Sequence, residues 1–136
     1  MQITRQSEYA VKTLMELARL PFGETLRTQE ISERQNIPEV FLKKTIQLLA
    51  RGGLLMTQRG AQGGIRLSIP ADQITIANVI EAVEGALAIN PCLSGNTHCP
   101  NESSCQIRRI LHRAQEAMRE ELSKETLQDI VDQEDG

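Results

Sequence analysis

Aromatic side chains are nearly missing from this 136-residue chain, which has no Trp, one Tyr and two Phe. Its core must therefore be built from Leu, Ile, Val and Ala, a composition that suits helices packed on helices better than a β-sandwich. No apolar run approaches the roughly 20 residues that span a bilayer. The opening residues MQITRQSEYAVK lack an apolar stretch ahead of a small-residue cleavage site, so neither a membrane anchor nor a signal peptide is expected. The default location is the cytoplasm. Cysteine is scarce as well: there are three, Cys92, Cys99 and Cys105, all within 14 residues. An odd number crowded into one segment cannot build a disulfide framework and points to metal binding or redox chemistry. A nucleophile–base pair, a phosphate loop and paired carboxylates are also wanting, so an enzyme is not expected.

What the chain does have is enough length for one compact domain with a real core, and an uneven distribution of charge. The net charge is −3, which taken alone argues against a polyanionic partner. Residues 1–66, however, carry ten Lys/Arg against six Asp/Glu, whereas residues 67–136 carry five against twelve. A basic first half with an acidic second half fits a chain whose N-terminal part meets phosphates.

Apolar periodicity divides the chain. Ala10, Val11, Leu14, Leu17 and Ala18 recur at helical spacing over residues 4–19, and Pro21 and Gly23 end that helix. Thr28 is placed to cap a short helix to Gln35. Asn36-Ile37 makes a tight connection, with Pro38 near the first turn of the next helix. That helix, 39–51, is expected to bury Phe41, Leu42, Thr45, Leu48 and Leu49 and to stop at Gly52-Gly53. Two β-prone runs, 54–58 and 65–69, flank Arg59-Gly60-Ala61-Gln62-Gly63-Gly64, a glycine-rich hairpin tip. Thr75 caps a helix bearing Ile76, Val79, Ile80 and Val83, stopped by Gly85. Asn90 to Cys105, rich in Pro, Gly and Asn, reads as a loop. A long helix from about Ser104 to Leu122 follows, with an apolar stripe through Ile107, Ile110, Leu111, Ala114, Ala117 and Met118. A short amphipathic helix around Leu127 and Val131 precedes an acidic tail. The expected organisation is 1–70 as an N-terminal unit, 71–89 as a connecting helix, 90–105 as a cysteine loop and 106–136 as the long helix and tail.

Three helices with a tight turn and then a two-stranded wing form the layout of a winged helix-turn-helix. The fold class is therefore mainly α with a small β-wing, extended by a long C-terminal helix. The major groove admits one helix, and a preceding helix crosses the backbone to hold it. The candidate reading helix offers Glu39, Lys43, Lys44, Gln47 and Arg51. Lysines pair with phosphate or guanine, and Glu or Gln accepts or donates at an amino edge. Thr28 at the start of the preceding helix is a further candidate contact, and Arg59 at the wing tip suits the negative potential of a narrow minor groove.

The spacing Cys92-x6-Cys99-x5-Cys105 gathers soft thiolate donors. It is wider than a zinc knuckle pair and suits a polynuclear iron–sulfur cluster. Zinc with His98 completing a Cys3His set, and a thiol redox sensor, remain open alternatives. An iron–sulfur carrier with an idle helix-turn-helix is a rival that the basic reading helix disfavours. The cysteine count leaves a fourth ligand to find, for which His98, His112, Glu102 and Glu8, or a carboxylate or water from outside the loop, are candidates.

Ser7-Glu8-Tyr9-Ala10-Val11, Ile31-Ser32-Glu33-Arg34-Gln35, the wing 59–64 and Val79-Ile80-Glu81-Ala82-Val83-Glu84-Gly85, followed by three cysteines, closely resemble the IscR/NsrR/RirA-type (Rrf-type) bacterial transcription regulators across essentially the whole chain. The resemblance implies a homodimer joined through the long helix, with each subunit presenting its reading helix to half of a palindromic operator. It also implies a 2Fe–2S or 4Fe–4S cluster on Cys92, Cys99 and Cys105, responding to iron, iron–sulfur supply, nitric oxide or redox state. The IscR branch places a histidine ligand three residues after the last cysteine, where this chain has Arg108. The NsrR branch takes an acidic residue from the partner's first helix, a position matched by Glu8. Glu8 is accordingly the preferred fourth ligand and 4Fe–4S the preferred cluster, in a repressor controlled by cluster occupancy.

Overall fold

The computed structural model describes residues 3–60, 63–85 and 106–135. Among them, helices α1 (Arg5–Ala18), α2 (Thr28–Gln35) and α3 (Glu39–Arg51) lead into strands β1 (Leu55–Gln58) and β2 (Gly64–Leu67). A 3-10 turn at Ala71–Gln73 precedes α4 (Ile76–Glu84), α5 (Gln106–Leu122) and α6 (Leu127–Asp135). The fold is mainly helical with one antiparallel two-stranded sheet, in which Leu55 pairs with Leu67 and Gln58 with Gly64. The expected cysteine loop lies outside the described residues.

Local chemistry explains most boundaries. The Thr4 hydroxyl caps α1 by accepting from the Ser7 N–H at 3.4 Å. Thr75 and Asn78 close a reciprocal capping box on α4, at 2.9 and 3.2 Å, and Thr126 with Asp129 repeats it on α6 at 3.0 and 3.2 Å. Such boxes satisfy helix-start N–H groups that have no partner within the helix. Thr28 does not cap α2 as expected. Leu26 pairs with Ile65 in an isolated bridge, which holds Arg27 extended at φ −76°, ψ 143°. Arg27 is therefore the N-cap, without a side-chain bond, and Thr28 is already the first helical residue.

One aliphatic core unites α1, α3, the sheet and α6. Leu14, Ile31, Leu42, Leu49, Ile65 and Leu127 are fully buried members of it. The inner face of α3 is Leu42, Thr45, Ile46 and Leu49. Phe41 is not part of it: its side chain is 55 % exposed. Leu42, Thr45 and Leu49 are buried as expected, whereas Ile46 joins them and Leu48 is only half-buried. Phe41 instead meets the edge of Tyr9 on α1, ring centroids 6.5 Å apart and tilted by 43°. The final helix also departs from a simple tail. Leu127 and Val131 are buried in the core of the N-terminal region, and the Leu127 N–H donates to the Ile74 carbonyl at 2.9 Å, across the boundary drawn at residue 106.

In the wing, Ile65 and Leu26 exchange two backbone hydrogen bonds of 2.8 and 3.0 Å. Gly64 permits this approach, since a Cβ there would overlap the Leu26 carbonyl and its φ is +155°. Gly64→Ala is expected to cost about 2 kcal/mol, read as a lower urea midpoint; an unchanged midpoint would show that the wing tolerates a wider gap.

Candidate nucleic-acid interface

The turn before α3 is built to hold that helix in one orientation. Asn36 takes the left-handed conformation, φ 54°, ψ 48°, at the end of α2, a conformation Asn tolerates better than most residues. The buried Ile37 donates its N–H to the Ser32 carbonyl at 3.0 Å and accepts from the Ser32 hydroxyl at 2.6 Å. Pro38, with φ −56°, is the N-cap, one residue ahead of the first turn. At the other end Gly52 packs on α4 so closely that a Cβ on it would lie 2.8 Å from the Ala82 Cβ. The helix between is fixed by burial on one side and open on the other.

Its open side carries Glu39, Lys43, Lys44, Gln47 and Arg51, all exposed. Their three- and four-residue spacing opposes the buried stripe, so one surface of α3 presents two ammonium groups, a guanidinium and an amide together. The expected contacts on α3 thus lie on a single free face. Val40, which the sequence reading passed over as an apolar residue of no special kind, is 78 % exposed on the first turn. Its periodicity, one step off the buried stripe, was the available signal. A free aliphatic group there can meet a thymine methyl in the major groove.

Arg59 is exposed just beyond β1, and the Gly63 N–H donates to the Gly60 carbonyl at 3.0 Å to draw the hairpin ends together. Thr28 lies half-buried at the start of α2.

The candidate cluster ligands are divided. Cys92, Cys99, Cys105, His98 and Glu102 lie outside the described residues. His112 is exposed on α5. Glu8 is exposed in the first turn of α1. The same turn meets two other elements: Tyr9 touches Phe41 of α3, and Glu84 at the end of α4 accepts hydrogen bonds from the hydroxyls of Thr4 and Ser7. The sequence reading gave Glu84 no function of its own, although it stood inside the Val79–Gly85 motif.

A family model described as an iron-dependent transcriptional regulator, Rrf2, matches residues 3–133. The chain belongs to the Rrf2 family. Members of this family are DNA-binding transcriptional regulators rather than enzymes. "Protein aau3" of Rhizobium meliloti (strain 1021) is 39 % identical over 133 residues, covering 96 % of this chain and 85 % of that protein. Among solved structures, the global cysteine regulator CymR of B. subtilis shares the fold at TM-score 0.77 and 24 % identity, over 97 % of each chain. The T. potens IscR structure matches at TM-score 0.74 and 25 % identity, over 98 % of this chain and 88 % of that one. The helices and the two-stranded sheet match the winged-helix fold of that family. Among the described residues no helix is long and apolar enough to cross a membrane.

Replacing Lys43 and Lys44 by Ala should lower affinity for random duplex DNA about tenfold and reduce the slope of log affinity against log salt by about 2. Fluorescence anisotropy across a salt series measures both, and an unaltered slope would remove α3 from the phosphate contacts.

Proposed function

We propose that this Rrf2-family regulator is a homodimeric repressor that binds a palindromic operator and whose operator affinity is controlled by an iron–sulfur cluster. The observation that carries the DNA half is the free cationic face of α3 beside the Arg59 wing. Lys43, Lys44, Gln47 and Glu39 read the major groove, Arg59 enters the minor groove, and Thr28 contacts the backbone at the start of α2. Residues 1–70 form the DNA-binding region, 71–89 the connecting helix, 90–105 carry the ligand cysteines and 106–136 contain the dimerisation helix.

The donor chemistry fits a cluster. Cys92, Cys99 and Cys105 supply three thiolates, and the carboxylate of Glu8 supplies an oxygen ligand from the partner subunit. Three thiolates and one oxygen donor match a 4Fe–4S cluster with one distinct iron better than a closed zinc site. When bound, such a cluster supplies a redox- and iron-sensitive link between the cysteine segment and α1. Two binding equilibria sharing α1 are then coupled, typically by about 1–3 kcal/mol.

Dimerisation is supported by the apolar side of α5. Ile107 and Ile110 are 67 % and 54 % exposed near the start of a helix whose far end rests on α4 through Leu122 and an Arg119–Glu81 ion pair of 3.4 Å. Two aliphatic side chains one turn apart, bare in a single chain, suit a self-complementary contact across a two-fold axis.

Three cysteines within 14 residues also suit a second reading, a sensor in which the same thiols are oxidised directly. Metal and sulfide analysis separates the two.

Anaerobic reconstitution with iron and sulfide should give a coloured protein with a visible charge-transfer band and an altered operator affinity in a gel shift; colourless protein would end the cluster reading. Glu8→Ala should leave a labile or spectrally shifted cluster, whereas an identical spectrum would exclude Glu8 as a ligand. Independently, Ile110→Glu should raise the dimer dissociation constant about a hundredfold in analytical ultracentrifugation, and an undisturbed dimer would place the interface elsewhere.

A further inference from the structure

Glu84 occupies an unfavourable place for its charge. It is the last residue of α4, where the aligned peptide dipoles present their negative end, and the last turn of that helix has no basic residue. Gly85 follows it at φ 87°, and Cys92 comes eight residues later in sequence. Its compensation comes from the opposite end of the fold. One carboxylate oxygen, Oε1, accepts from the Thr4 hydroxyl and, at 2.8 Å, from the Ser7 hydroxyl. Ser7 is 1 % exposed, so its hydroxyl has no bulk water to turn to. Both donors stand at the start of α1, the positive end of that helix dipole. Hydroxyls donating to an ionised carboxylate make short and strong bonds.

The turn held in this way is the one that bears Glu8. Its next residue, Tyr9, meets Phe41 on the first turn of α3. Glu84, Thr4, Tyr9, Val40, Phe41 and Lys44 line one open cavity of about 480 Å³. The last residue of α4, the first turn of α1 and the exposed start of α3 are therefore joined through a single carboxylate and one ring contact.

We infer that Glu84 is a positioning residue that transmits the position of the α4 end to the reading helix, by way of Thr4, Ser7, Tyr9 and Phe41. The inference rests on the sensor reading for its signal, but the fastening itself belongs to these residues and does not need a cluster to be detected. Release of the two hydroxyls loosens the first turn of α1 and leaves the start of α3 held by burial and the Ser32–Ile37 bonds.

The test uses the whole chain, apo and reconstituted, with Glu84→Ala on one side of the contact and Ser7→Ala, which leaves the Thr4 cap of α1 in place, on the other. Amide hydrogen exchange at Ser7 and Glu8 should quicken about tenfold in either variant, in apo protein that still melts cooperatively. The ratio of operator affinities between the loaded and cluster-free forms should shrink toward one, by about tenfold. Combining the two changes should add little more, because both remove the same contact. Should Glu84→Ala fail to fold, Ser7→Ala alone carries each measurement. Unchanged exchange in a folded variant overturns the inference, as does an unchanged affinity ratio where the parent protein switches. If the parent shows no difference between loaded and cluster-free forms, the sensor reading fails on its own; the fastening is then upheld by faster exchange with weaker operator binding in the variant, and refuted by their absence.

Discussion

Everything that α3 can do depends on how firmly one of its sides is buried. Leu42, Thr45, Ile46 and Leu49 face inward, and Leu42 and Leu49 are completely shielded. Removing either side chain would typically cost about 2–5 kcal/mol, a large share of the stability of a small domain. The close meeting of Gly52 with Ala82 then sets how the end of α3 lies against α4, and the Ser32–Ile37 bonds set how its start leaves α2. A helix pinned at both ends and along one side presents its other side without a search over orientations. That is what lets two lysines and a glutamine stand together on one free face.

Polar groups inside this core are satisfied locally. The Thr45 hydroxyl donates to the Phe41 carbonyl at 2.8 Å, and the Thr13 hydroxyl to the Tyr9 carbonyl at 2.7 Å. Each is a bond to the residue one turn earlier, so a buried hydroxyl needs no distant partner. Glu16 is handled differently. Its buried carboxylate pairs with Arg19 at 3.2 Å and Arg34 at 3.5 Å and accepts from the Gln35 amide. This network fastens the end of α1 to α2, and Arg19 reaches on to Glu134 of α6. Because the donors are partly exposed, its value lies more in holding three helices in register than in raw stability.

The architecture was legible in the sequence because it rests on local signals. Helical spacing, the Thr75 cap and the glycines of the wing place five helices and two strands within a residue or two of where they lie. What escaped the sequence depends on contacts between distant residues. Phe41 and Ile46 are both apolar and both fit a three- or four-residue spacing, so the pattern by itself does not say which one stays outside. Thr28 has the right chemistry for a cap, but the Leu26–Ile65 bridge starts the helix one residue early. Glu84 looks like any surface carboxylate until Thr4 and Ser7, some eighty residues away in the chain, arrive beside it. The exposed lysines of α3 were readable for the opposite reason: they need no partner within the molecule. Glu8 was reached through family resemblance, since a lone first-turn glutamate announces nothing by its spacing.

Charge distribution resolves the tension between a net charge of −3 and a nucleic-acid partner. The basic face of α3 adjoins the start of α1, where Lys44 shares a cavity with Thr4 and Arg5. The acidic α6, carrying Asp129, Asp132 and Glu134, packs toward the other end of α1, fixed there by Arg19. α1 is 14 residues long, and at about 1.5 Å per residue it separates these ends by roughly 20 Å. The screening length at physiological ionic strength is about 8 Å. The lysines therefore stand in a local field that the carboxylates of α6 scarcely reach, and the sign of the whole molecule says little about the sign of the free α3 surface.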